Sequence, residues 1–303
     1  VIRADQKVTI DLRGRSIIGK NNLRIFATWG EGAYLGLVDS SKDQTGKLVA
    51  SGEKLDQGGC LWIRFGTVDL FSGTLDASKA QTVKNGAAVL LKEGATFNMY
   101  GGTITGGTSQ AILDSKGKPM NGSGGNLYIE GNFNMYDGLI CDGNAVGLYD
   151  GDNCMMGIGG NLYATKTSVV KLMGGILRDG RSSSGGGNVY MAGEVDIGEG
   201  MQVLGGTAEA PTKSGGNINV NAAGKLYITG GEIRGGTSTN LGGVICCNGQ
   251  VFISGGKLGG GTAGASTSNN IVVLKNAQLT LSGGTVDGAI RQAAGAEVIL
   301  KDN

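Results

Sequence analysis

Histidine is absent from this 303-residue chain. With it go the Ser-His and Cys-His nucleophile pairs and the commonest zinc ligand. Proline numbers only 2, which argues against a proline-rich disordered chain, and the 60 glycines follow no three-residue period, which excludes a collagen-like one. No apolar run is long enough to cross a membrane as a helix, so membrane insertion is not expected. Charge of one sign is also missing: 26 Lys and Arg stand against 25 Asp and Glu, a net charge of +1. That balance argues against a nucleic-acid footprint and a polybasic membrane patch. The 5 cysteines leave an odd count with no C-x-x-C pair, so no zinc site and no cofactor is expected. Buried small hydrophobes is their reading, with Cys141 and Cys154, which flank a loop, as candidates for a bridge in an oxidising compartment. Val1 resembles neither a signal peptide nor an initiator, and the chain reads as a mature or excised piece of something longer.

What is present is periodicity. Glycine doublets or their equivalents begin at Gly58, Gly86, Gly124, Gly159, Gly186, Gly215, Gly242 and Asn269, 27 to 38 residues apart. Each opens a unit of three short alternating segments, as in Leu127-Tyr128-Ile129, Phe133-Asn134-Met135 and Leu139-Ile140. Aligned, the first segment gives apolar columns: Leu61, Val89, Leu127, Leu162, Val189, Ile218, Ile245, Val272, and Ile63, Leu91, Ile129, Ala164, Met191, Val220, Cys247, Leu274. The second runs in pairs from Val68 with Leu70 to Leu279 with Leu281, and the third as one column from Leu75 to Val286. A period of two makes these inward faces of strands. A helical solenoid would need apolar residues three and four apart and few glycines. Three strands per turn, each too short to fold alone, predict a coil buried only by stacking on the next. The expectation is an all-β parallel β-helix (β-solenoid) of about ten coils, on the order of 50 Å long at about 4.8 Å per rung, with residues 1–57 as its first coils and 58–303 as the regular Gly-Gly coils of the same single domain.

The Gly-Gly-Asn-hydrophobic-Tyr and Gly-Gly-Thr-Ile units, with Val8-Thr9-Ile10-Asp11-Leu12 as an opening strand and Leu37-Val38-Asp39-Ser40-Ser41 as part of the next coil, resemble the right-handed parallel β-helix repeats of bacterial cell-surface and secreted proteins. That resemblance implies the handedness and an extracellular stalk, adhesin or surface-layer role. It also brings in catalytic β-helices that cleave polysaccharides, where pectin-type lyases hold calcium in an aspartate cluster beside a basic residue.

Three groups of residues are candidates for function. The acidic insertion Asp142, Asp150, Asp152 and Asn153 reads as a solvated turn of common turn formers, with calcium as the alternative. An aromatic stripe comprises Trp62, Tyr128, Tyr163 and Tyr190 at an outward position of the first segment, and Phe71, Tyr100 and Tyr136 on the second. It stacks sugar rings, packs against a neighbouring chain, or ladders with itself. Lateral protein contact is favoured, because acids and amides do not look concentrated beside it. Finally, no polar cap is evident at either end. Val8, Ile10 and Leu12 at one end and Val298, Ile299 and Leu300 at the other are expected to join copies end to end, the low net charge offering little repulsion. The reading is therefore a non-enzymatic extracellular rod whose partner is itself, with glycan binding and polysaccharide cleavage as alternatives. Asn126, Asn161, Asn188 and Asn217, at one corner of four successive units, are expected to form a structural amide ladder.

Overall fold

A computed structural model of the chain describes residues 1–20, 22–52, 55–80, 83–151, 153–209, 215–264 and 270–301. Among them there is no helix, and nearly all strand pairing is parallel. One turn of the coil shows how the sequence produces this. Leu127–Ile129 lies in an 11-stranded first sheet, Asn132–Met135 and Leu139–Cys141 lie in a 19-stranded long sheet that bends between them, and Asn144–Val146 lies in a nine-stranded short sheet. The chain then enters the next coil at Leu162–Ala164. The first sheet runs from Ile2–Arg3 to Ile290–Gln292, and Lys7–Asp11 and Tyr34–Val38 pair within the long sheet.

The inward columns hold in register. Phe97 stands between Val68 and Phe133, and Ile104 between Leu75 and Ile140. Nearly all these side chains are fully buried in one continuous core, each contributing about 1.5–3 kcal/mol relative to exposure. In the last regular coil the pairing departs by one residue from the expected alignment: Ile271 and Val273, not Val272 and Leu274, continue the columns of Ile245 and Cys247. The cause is Asn270, whose side-chain oxygen accepts the Gly261 N–H at 3.0 Å and so takes the corner position of the amide ladder. A one-residue slip exchanges the faces of a strand, and the corner amide fixes which face is inside. Asn269 itself lies outside the described residues.

The doublets do two different things. Their first glycine is left-handed, as at Gly124 (φ 62°), Gly159 (68°) and Gly186 (65°), a conformation that costs other residues energy. Their second is a close approach: a Cβ on Gly125 would lie 2.1 Å from the Gly160 carbonyl oxygen of the next coil. Between the doublets runs the amide ladder. Asn161 Nδ2 donates to Asn188 Oδ1 and to the Arg178 carbonyl, both at 2.8 Å, while its Oδ1 accepts from the Gly143 N–H at 2.9 Å and from Asn126 Nδ2 at 2.8 Å. The pattern repeats at Asn188, so a fully buried amide has every polar atom satisfied.

Three features were not expected. The short sheet is a fourth strand per coil, with a column of small residues, Ser109, Ala145, Ser182, Ala208, Ser238 and Ala263. Two hairpins leave the stack, one pairing Thr108–Leu113 with Pro119–Asn121 and one pairing Leu148–Asp150 with Asn153–Met155, both antiparallel. Two bulges interrupt the long sheet, one where Gly198 and Glu199 together stand opposite Met173 and one where Ala77 and Ser78 together stand opposite Ala50. All five cysteines are free; Cys141 Sγ donates to Thr105 Oγ1 at 3.3 Å, so the Cys141–Cys154 bridge is absent. Burial pushes the Cys60 thiol up to about 12 and that of Cys247 to about 11, which makes them unreactive core residues.

Candidate functional site

The aromatic stripe divides into two ladders of different character. On the first sheet Tyr128, Tyr163 and Tyr190 stand in register, with Leu90 between Trp62 and Tyr128. Ring centres are 5.1 Å and 5.7 Å apart along the tyrosines, and the rings are tilted. These tyrosines are half-buried, and burial raises the pKa of each phenol. Tyr190 OH accepts from Asn221 Nδ2 at 2.6 Å. This ladder is mainly internal packing on an outward face.

The second ladder is open. Phe71, Tyr100 and Tyr136 are 42%, 43% and 46% exposed and stack nearly parallel, with centres 5.2 Å and 5.1 Å apart and planes 10° apart. Their position follows from sheet alternation, since each succeeds an inward Leu70, Met99 or Met135 at the bend of the long sheet. Directly beside them, two residues earlier, runs a polar column: Asn134 Nδ2 donates to Asn98 Oδ1 at 2.9 Å and Asn98 Nδ2 to Asp69 Oδ1 at 2.8 Å. Tyr34 OH donates to Asp69 Oδ2 at 3.0 Å, so the carboxylate closes the ladder by accepting from both sides. An acid and two amides therefore do lie beside this stripe, contrary to the sequence reading. They are committed to one another, and the ring faces are committed to each other, so the ladder offers edges and hydroxyls rather than open faces.

Farther along the same bend the aromatic position becomes Thr229, Ser254 and Ser282, and a groove of about 730 Å³ opens, lined by Glu199, Gln202, Glu232, Lys257 and the intervening glycines. A recess of about 210 Å³ continues it between Arg234 and Asp287, where Gly259 leaves a gap. Arg234 binds Glu232 at 2.9 Å, which neutralises one of the two groove glutamates. The sequence reading overlooked this groove, and also the stacked pair Tyr227 and Phe252, 5.0 Å apart. Both sit on outward positions that vary from coil to coil and so carry no columnar signal.

Asp142 is exposed at a left-handed corner (φ 57°) and accepts from Thr105 Oγ1 at 3.3 Å, while Asp150 is exposed on the second hairpin. Asp152 and the side chain of Asn153 lie outside the described residues. Among the described residues no group of three or more His, Cys, Asp and Glu side chains is placed to hold a metal ion.

At the ends, Val8 and Ile10 face inward opposite Leu35 and Leu37, and Val8 is exposed. Leu12 is already buried, and Ile17, opposite Leu48, is the other uncovered inward residue of that coil. At the far end Val298 and Leu300 continue the columns of Leu279 and Leu281, with Leu300 74% exposed, whereas Ile299 faces outward opposite Thr280.

No family model matches the chain, and no curated protein and no solved structure matches it.

Proposed function

We propose that the chain is a non-enzymatic structural segment of an extracellular, bacterial cell-surface protein, lengthened into a stalk or fibre by like coils stacked on its ends. The observation that carries this reading is the state of the terminal coils: apolar residues of the inward columns, Val8 and Ile17 at one end and Leu300 at the other, stand uncovered while nearly every equivalent residue between them is buried. A coil with the same columns, from the same polypeptide or from a second copy, would cover such a face and continue its core. The net charge of +1 offers little resistance to association, and the Phe71, Tyr100 and Tyr136 edge supplies a lateral contact whose period matches that of another solenoid.

Electron microscopy and light scattering of the purified chain test the self-association. Rods of several chain lengths are expected, with mass rising with concentration, and Ile17→Lys combined with Leu300→Lys is expected to leave single units. Dispersed monomers at every concentration and salt would overturn the end-to-end reading. Release of reducing or unsaturated ends from a panel of acidic and neutral glycans would overturn the non-enzymatic one.

A further inference from the structure

The outward face of the first sheet carries, over its earliest coils, a cluster that a stacking rod does not need. Pairing sets Arg3 opposite Trp29, and the next strand brings Arg64 alongside, its N–H donating to the Thr28 carbonyl at 3.2 Å. The Arg64 guanidinium carbon lies 4.1 Å from the centre of the Trp29 ring, 5.9 Å from that of Trp62 and 5.7 Å from that of Phe65. Trp29 and Trp62 meet edge to face, with centres 5.1 Å apart, and Arg24 lies 4.4 Å from the Trp62 centre on its own account. Guanidinium and indole are thus layered together, each arginine held in place by cation–π attraction.

The charges of this cluster do not cancel. Arg24 reaches Asp56 at 3.3 Å, a carboxylate that Lys84 shares at 2.7 Å. Lys92, next after Arg64 in the same column, is paired with Glu130. Arg3 and Arg64 meet no carboxylate among the described residues. The Trp62 Nε1–H is shut off from solvent and has no acceptor among the described residues. Phe65 and Trp29, 38% and 44% exposed, supply apolar surface beside the free guanidiniums.

We propose that this cluster binds an acidic polysaccharide, with carboxylate or sulfate groups on Arg3 and Arg64 and sugar C–H surface against Trp29 and Phe65. The guanidinium fork suits such oxyanions and its weak hydration lowers the cost of stripping water from them. Arg3 and Arg64 flank Trp29 on either side, two rungs or about 10 Å apart, which fits a stiff chain with repeated charges better than one small anion. A single-stranded nucleic acid stacks successive bases on a run of open rings, and here Trp62 is covered by Arg24 and met edge-on by Trp29, which leaves Trp29 and Phe65 as the exposed rings of the cluster. An extended peptide would add to the free edge of Ile2–Arg3, the terminal strand of the sheet, and not lie across the outward face where Trp29, Arg64 and Phe65 stand. The proposal goes beyond the stalk reading and does not depend on it.

The test is calorimetric titration of the chain with a galacturonate oligomer and a heparin oligosaccharide, alongside a neutral cello-oligosaccharide, polyglutamate and a single-stranded DNA oligomer. Both acidic glycans, or one of them, are expected to bind and to weaken as salt is added, and the neutral one is not. Arg64→Gln and Arg3→Gln are each expected to weaken binding at least about tenfold, with Lys171→Gln on the long sheet without effect. Arg3 is exposed on the terminal strand Ile2–Arg3, so Arg3→Gln carries the test if Arg64→Gln does not fold. Absence of acidic-glycan binding at low salt, unchanged binding by Arg3→Gln, or equal binding of polyglutamate or DNA would each overturn the proposal.

Discussion

Over three consecutive coils the bend of the long sheet carries Phe71, Tyr100 and Tyr136, and over three later coils the same position carries Thr229, Ser254 and Ser282. The backbone register is the same in both stretches. In the first, stacked rings cover the bend; in the second, it is hollow enough for the groove beside Glu199 and Glu232. The interior shows no such division beyond size, with Phe97 and Phe133 stacked inside the early coils and Leu226, Val251 and Leu279 inside the later ones. The contrast teaches that stacking constrains the inward columns at every rung and leaves the outward ones free. The outer face can therefore change chemistry along the axis while the fold stays constant, as the bend position does from stacked rings early to small hydroxyl residues late.

The largest test of that contrast is inside. Phe133→Ala should destabilise by about 3–5 kcal/mol, and Val251→Ala in the same column by roughly 2 kcal/mol, because fewer methyl groups and a smaller cavity are involved. Urea titration measures both, and equal losses would mean that the two halves do not differ in packing. Asn188→Ala should cost on the order of 3 kcal/mol, since it strands the Gly180 N–H, the Leu204 carbonyl and two neighbouring amides. Asn270→Ala, at a solitary rung with fewer partners, should cost less than half as much.

On the outer face the effects are smaller. Tyr100→Ser should lower stability by about 1 kcal/mol by breaking the ring stack, and Thr229→Tyr, Ser254→Tyr and Ser282→Tyr together should build a matching ring stack on the later bend and gain up to about 1 kcal/mol. A large loss from the triple variant would show that the hollow bend is structurally required. The smallest effect is one of pH. The Ser40 hydroxyl, then the Ser40 and Arg13 N–H groups, hold Asp11 at about 2, and Asp39 is lowered by backbone N–H donors from Gly14 and Gly46 that outweigh its desolvation. Carboxyls depressed in the folded state stabilise it above their ordinary pKa of 3.8, and that contribution is lost as pH falls toward 2. Both tryptophans, Trp29 and Trp62, are in the early coils, so their fluorescence should report loosening there at a higher pH than circular dichroism reports loss of the whole stack. Coincident transitions would contradict a locally weakened end.

The inward columns were legible because a period of two repeated over many coils leaves no alternative face, and the amide ladder because Asn126, Asn161, Asn188 and Asn217 follow the doublets at a fixed step. The fourth strand was not legible. Its column of Ser109, Ala145, Ser182 and their equivalents is too small to register as apolar alternation, since little space remains beside the glycine corners. The register at Ile271 was not legible because two asparagines, Asn269 and Asn270, stand in sequence where the other units have a glycine doublet and one asparagine, and only the hydrogen bond from Gly261 shows that Asn270 takes the corner. Of the arginine and tryptophan cluster only Trp62 stood out in sequence. Arg24 and Trp29 come from the loosely periodic coils before Gly58, and their proximity to Arg64 depends on a register that only the folded stack supplies.

The buried amide ladder also gives the molecule an arrow. Asn126 donates to Asn161, Asn161 to Asn188 and Asn188 to Asn217, always from the earlier coil to the later. Reversing one unit against another would bring donor against donor or acceptor against acceptor at that corner, besides opposing parallel strands. Any assembly that continues this stack therefore inherits a head and a tail, adds units at two chemically different tips, and presents its early face and its late face in the same order along its whole length.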